Sequence, residues 1–89
     1  MRIEDIETPA VLIDLDLVEA NIARAQAIFD QLGKGFRPHI KTHKIPSLAR
    51  LQMKAGAIGI ACQKISEAEV FAADGFDDIL LCFNLLSPA

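Results

Sequence analysis

The reading of this chain turns on the stretch "GFRPHIKTHK", residues 35–44. It holds Arg37, His39, Lys41, His43 and Lys44, more cationic groups than a strand entering a protein interior normally carries. Side chains alternate across a strand. An extended 35–41 therefore sets Arg37, His39 and Lys41 on one face and Pro38 and Ile40 on the other. Two readings stay open on the residues alone. A strand of an α/β barrel would turn Ile40 outward beneath helices. It would aim the three basic groups along the interior, with Lys41 at the carboxyl end, where barrel enzymes build their sites. A solvated basic edge would hold the same residues with no chemistry, and Pro38 suits an edge or the start of a strand.

Working outward, "AVLIDLD" (10–16) is a short aliphatic run and predicts a buried strand. Asp16 and Glu19 have the spacing of a capping box. Leu17, Val18, Ile22, Ala25, Ile28, Phe29 and Leu32 then follow a helical period as far as Gly33, a natural stop. Pro46 fits the first turn of a second helix, running to about Lys54 and closed by Gly56. "AIGIAC" (57–62) predicts a strand. Ser66 and Glu69 repeat the capping-box spacing ahead of a helix that reaches Ala73 and stops at Gly75. Glu67 and Glu69 are expected to face the positive end of that helix. "DDILLCF" (77–83) predicts another strand. Strands and helices thus alternate, with short glycine-marked connections, as in parallel α/β units.

A closed barrel of such units needs eight repeats and about 250 residues, and 89 residues supply roughly half. The chain stops at "NLLSPA", just past a buried-looking strand. A small open sheet would leave that strand as an apolar edge. The expected fold is therefore α/β: a partial parallel (β/α) barrel of TIM type, about its first half, without the later strands.

Composition narrows the function classes. The chain is 52% hydrophobic and only 6% aromatic, with net charge −3, so it is globular and poorly suited to a polyanion. No nucleic-acid partner is expected. The N-terminus, "MRIEDIETPA", is acidic where a secretion signal is basic, and no apolar run approaches the ~20 residues of a membrane span. Cys62 and Cys82 each lie in an apolar run with no C-x-x-C, which suggests buried, reduced thiols. A cytoplasmic protein without membrane attachment is the expectation.

The basic stretch also carries candidate chemistry. An amine set beside other cations in a partly dry pocket is a usable nucleophile suited to Schiff-base formation, and Lys41 is placed for that. His39 and His43 are four apart, ~13 Å along a strand, too far to share one ion. In the next strand Gly59, Ala61 and Gln63 share a face. Gln63 above two small residues offers room and a hydrogen bond to a cofactor ring, or simply a glutamine bonded to loop backbone.

"TPAVLIDLD" (8–16), "RPHIKTHK" (37–44) and "GAIGIACQKISEAEVFAADGFDDILL" (56–81) together resemble the N-terminal part of the D-threonine aldolase and D-serine dehydratase-like family. Those enzymes in turn resemble alanine racemase-type barrels that bind pyridoxal 5′-phosphate. The likeness spans nearly the whole chain. R-P-H-x-K-T-H-K is its most specific element and C-Q-K-x-S-E-A-E the next, while T-P-A-x-x-x-D-L-D is widely shared. The resemblance implies that residues 1–89 are the incomplete N-terminal part of an alanine racemase-like barrel domain. It implies that residues 10–16 need not belong to the barrel. It implies that Lys41 holds pyridoxal phosphate covalently and is the catalytic residue, that Arg37 and His39 lie in or under the cofactor site, and that Gln63 lies near the ring.

The activity so implied is that of a lyase on D-β-hydroxy amino acids. "IACQK" and "DDILL" favour D-threonine aldolase-like cleavage to glycine and an aldehyde over D-serine dehydratase-like loss of ammonia. A non-catalytic cofactor carrier on the same barrel, or an inert truncation, are the alternatives. The resemblance also implies a divalent metal (Mn, Mg or Zn) acting as a Lewis acid on the β-hydroxyl, and a possible homodimer. In that family the phosphate-binding loops come from later strands, and the metal ligands and a β-rich domain from near the C-terminus. The 89-residue chain alone is therefore expected to release no aldehyde from D-threonine. A measurable aldehyde yield from the isolated chain would overturn this.

Overall fold

The computed structural model describes residues 1–84. A 3-10 turn at Ile3–Asp5 precedes helix α1 (Leu15–Leu32), and a second 3-10 turn at Ile40–Thr42 precedes α2 (Pro46–Ala55). Strand β1 (Ile60–Cys62), helix α3 (Ile65–Ala73) and strand β2 (Ile79–Leu81) follow. The end of the chain, 85–89, on which the expectation of truncation drew, lies outside the described residues. The architecture is α/β around a two-stranded parallel sheet, with Ile60 opposite Ile79 and Cys62 opposite Leu81.

The decisive stretch joins this sheet as an extended edge. Ile58 N–H donates to the Phe36 carbonyl at 2.9 Å and Ala61 N–H to the Pro38 carbonyl at 2.9 Å. His39 and Ala61 make a parallel bridge. The predicted strand over 35–41 is thus shorter than expected. It ends at His39 because the chain turns into a 3-10 helix at Ile40. Pro38 has no N–H to give, and here its carbonyl does the pairing.

Ile40 is fully buried and packs with Ala49, Ile60, Cys62 and Phe71. Met53, Phe76, Ile79 and Leu81 close around this cluster. The core therefore lies between the sheet and α2 with α3, and Ile40 faces the helices as alternation requires. Phe71 meets Phe76 edge-on, with ring centroids 5.2 Å apart. The opposite face of the sheet is more open, and Leu80 on it is half exposed.

Several local expectations need correction. The strand predicted over 10–16 is absent: residues 10–14 form no strand, Leu15 and Asp16 open α1, and Val11 is 93% exposed. An apolar run becomes a strand only when a neighbour accepts its backbone bonds, and among the described residues none bonds the backbone of 10–13. Asp14, not Asp16, caps α1: its carboxylate accepts from Leu17 N–H at 3.3 Å. Gly33 ends α1 as expected, in the left-handed conformation that glycine adopts without strain. Helix α3 begins at Ile65 rather than at a Ser66 cap, because the Glu67 carboxylate reaches back to the N–H groups of Gln63 and Lys64. The strands predicted over 57–62 and 77–83 shrink to three residues each. Cys62 is buried as expected, but Cys82 is exposed, its thiol donating to the Cys62 carbonyl.

Gly59 is a spatial requirement. A Cβ there would stand 2.5 Å from Arg37 Nη1 and 2.6 Å from the Asp78 carbonyl oxygen. The room that "AIGIAC" left for a cofactor ring above Gly59 is filled by the Arg37 guanidinium. Gly59→Ala is expected to cost about 1–3 kcal/mol of folding stability through overpacking. Chemical denaturation of the two proteins measures it, and an unchanged midpoint would show that the site yields without strain.

Candidate functional site

The carboxyl ends of the three parallel segments bring together the turn after His39, Gln63 after β1, and Cys82 after β2. Their amino ends carry a different cluster. There Arg37 Nη2 pairs with the Asp78 carboxylate at 2.8 Å. Its Nη1 donates to the carbonyls of Ile60 at 3.1 Å and Asp78 at 3.2 Å. One guanidinium thus ties the edge segment to both strands, the fixed fork geometry of arginine serving three acceptors at once. Among the expected site residues, Arg37 is the one whose donors are committed to the sheet itself.

His39 stands one alternation above Arg37, opposite Ala61. Its Nδ1 accepts from Lys41 N–H at 3.1 Å, capping the 3-10 turn. A ring nitrogen that accepts is unprotonated, so the neutral ring carries its proton on Nε2. His43 repeats the device: Nδ1 accepts from Ile45 N–H at 2.8 Å, and Nε2 lies 3.2 Å from Gln52 Oε1. The two histidines therefore shape backbone on either side of the turn and do not converge. Among the described residues, no group of three or more His, Cys, Asp or Glu is arranged to hold a metal.

Lys41 occupies the exposed middle of the Ile40–Thr42 turn. Everything around it is held. Ile40 is anchored in the core, and His43 N–H and Lys44 N–H both return to the Ile40 carbonyl, at 3.2 and 2.7 Å. Gln63 is half-buried, and its main-chain N–H donates to Glu67 Oε1 at 3.0 Å.

The residue that sequence reasoning undervalued is Glu67. It is 8% exposed, and it does more than face a helix end. Oε1 accepts from Gln63 and Lys64 N–H, and Oε2 takes the Lys44 ammonium at 3.1 Å. The signal available was its position three residues after Lys64, the reciprocal half of a capping box. The Gln63 N–H is the main influence holding its carboxyl below the ordinary value of 4.5; burial opposes it, and Lys44 and the Lys64 N–H assist. Cys62 shows the opposite behaviour, burial pushing its thiol up with the Glu67 charge adding to it, and its side chain packs in the core.

No protein-family model matches the chain. Curated relatives do. D-threonine aldolase of Arthrobacter sp. is 43% identical over 84 residues, 94% of this chain and 22% of that protein. D-threo-3-hydroxyaspartate dehydratase of Delftia sp. strain HT23 is 45% identical over 80 residues, 90% of this chain and 21% of that protein. Over nearly its whole length the chain is homologous to D-threonine aldolases and D-serine dehydratase-like enzymes. Solved structures agree: D-threonine aldolase from Filomicrobium marinum superimposes with a TM-score of 0.92 at 38% identity, over 96% of this chain and 23% of that one. The Delftia dehydratase gives 0.90 at 44% identity, over 92% of this chain and 22% of that one. This chain spans about a fifth of the length of the curated relatives it matches. Among its described residues, no helix is long and apolar enough to cross a membrane.

The lowered Glu67 value has a pH consequence. A carboxyl held lower in the folded state stabilises it above its ordinary value, and this is lost as pH falls through the folded value. Glu67→Gln is therefore expected to be less stable than the parent protein near neutral pH, with the gap narrowing below about pH 4.5. Melting temperatures of both proteins across that range test it. A gap that persists unchanged into acid would assign the loss to packing instead.

Proposed function

We propose that the protein carrying this chain is a lyase on D-β-hydroxy amino acids that depends on pyridoxal phosphate, with Lys41 as the residue that holds the cofactor. The observation that carries this is the exposed Lys41 amine on a turn braced around it, at the carboxyl end of parallel segments. The sequence around it is 38–45% identical to aldolases and dehydratases of D-β-hydroxy amino acids.

The residues present fit the ring-bearing end of that cofactor. A primary amine needs a fixed backbone and an open approach, and Lys41 has both. His39 keeps Nε2–H as a donor while its Nδ1 holds the turn. Ala61 beside it adds little bulk, and Gln63 brings an amide to the end of β1. Arg37 lies beneath, where it supports the sheet. When bound, pyridoxal phosphate supplies an electron sink for a carbanion at the substrate Cα. The chain's own contribution is to present the Lys41 amine, hold its turn still and set polar groups beside it. A partial parallel barrel, completed by chain outside these residues, would cover the more open face of the sheet.

D-threonine aldolase-like cleavage to glycine and an aldehyde is the first form of the activity to test. Dehydration is the second, on the 45% identity to the Delftia dehydratase. A divalent metal, with ligands outside the described residues, would polarise the β-hydroxyl. The whole protein is proposed to act in the cytoplasm, with a dimer as its assembled form.

Borohydride reduction of the full protein, followed by intact mass and peptide mapping, should give one pyridoxal-phosphate adduct on Lys41. Lys41→Ala should remove the adduct and lower lyase activity by roughly 1,000-fold or more, the scale seen when a covalent catalytic residue is lost. An adduct on another lysine would reassign the site, and no adduct at all would sink the cofactor reading.

A further inference from the structure

We propose that Lys44 and Glu67 act as a positioning pair that fixes the Lys41 turn against the end of β1. The proposal rests on Lys41 being the cofactor-bearing residue and adds how that residue is held. Glu67 is the one described carboxylate that reaches both sides of the site. Oε1 accepts from Gln63 and Lys64 N–H, at 3.0 and 3.3 Å, and Oε2 binds Lys44 Nζ at 3.1 Å. The chain leaving β1 and the chain leaving the Lys41 turn are thereby joined through one buried acid.

Lys44 carries a second and independent mark. Its φ is +58°, and among the described residues no other non-glycine has a positive φ. That conformation favours glycine or asparagine and is uncommon for a long side chain. Its N–H meanwhile returns to the Ile40 carbonyl at 2.7 Å, closing the turn. Backbone economy alone would place glycine here. A lysine is explained by what its ammonium does, which is to reach Glu67. The pair acts through Lys41 and touches no reacting atom.

Ion pairs on protein surfaces contribute little, so the burial of Glu67 matters. Its side chain is 8% exposed, against 55% for Lys44. A carboxylate so placed needs its donors, and losing Lys44 leaves a buried charge short of one. The turn would then loosen on the side away from His39.

The test uses the full protein with Lys44→Gly, Lys44→Arg, Glu67→Gln and the double variant Lys44→Gly/Glu67→Gln. Two quantities are read: hydrogen exchange of the backbone N–H groups of residues 41–44 without cofactor, and the rate at which borohydride-trappable adduct appears on Lys41 after mixing with pyridoxal phosphate. Lys44→Gly and Glu67→Gln should each speed local exchange and slow adduct formation by about tenfold, a change within the range of coupling between contacting charged groups. The double variant should be no worse than the weaker single variant, and Lys44→Arg should stay within about twofold of the parent.

Lys44→Gly at parental values in both measurements would overturn the proposal, because relief of the positive φ would then be all that matters there. Additive effects in the double variant would overturn it too. Lys44 is half exposed, so its variants decide the matter even if Glu67→Gln fails to fold. Adduct absent from Lys41 in the parent protein would overturn the cofactor reading, and with it the pair's part in presenting Lys41. Exchange would still report separately whether the pair clamps the turn.

Discussion

The backbone pairing of residues 36–39 with β1 is the constraint on which the rest depends. Two hydrogen bonds and one bridge set the register of the edge segment against the strand. Once that register holds, alternation leaves no choice for the next residues. Ile40 goes down into the core with Ala49, Ile60, Cys62 and Phe71. The turn that follows must leave the sheet at its carboxyl end, and Lys41 rides on it. A slip of one residue would bury a cation and expose Ile40, so the apolar core and the placement of the amine are enforced by the same hydrogen bonds.

The cations of 35–44 then divide by task. Arg37 is structural: its guanidinium occupies the space above Gly59 and links three segments at the amino ends of the strands. His39 and His43 bend the chain by accepting backbone N–H groups. Lys44 balances the buried Glu67. Lys41 has its backbone fixed by neighbours and its side chain turned to solvent. That contrast supports a chemical role for it and supporting roles for the others. It also answers how an extended segment tolerates so much charge: most of these groups are used by the fold.

Homology to these enzymes is consistent with this division. The relatives named are aldolases and dehydratases of D-hydroxy amino acids, and the solved members superimpose closely over the described elements. The chain corresponds to about a fifth of those proteins. What it contributes to the proposed site is a braced amine and the floor beneath it.

Much of this was legible in the order of residues. Helical periodicity located α1 and its stop at Gly33, and Pro46 and Gly56 bounded α2, because those signals are local. Alternation placed Ile40 opposite Arg37 and His39, because side-chain direction along an extended chain depends only on parity. The motif around Lys41 pointed to the family. Partners distant in sequence were not legible. Residues 10–16 looked like a strand, but 10–13 find no described backbone partner and Leu15 and Asp16 already belong to α1. Gly59 looked like space for a ligand but is filled by Arg37, which lies 22 residues earlier. Glu67 looked like a helix-end acid but binds Lys44 across the sheet end. Local periodicity and parity are properties of the chain itself. Which space is filled, and which charge meets which, is decided only when segments far apart in sequence pack together.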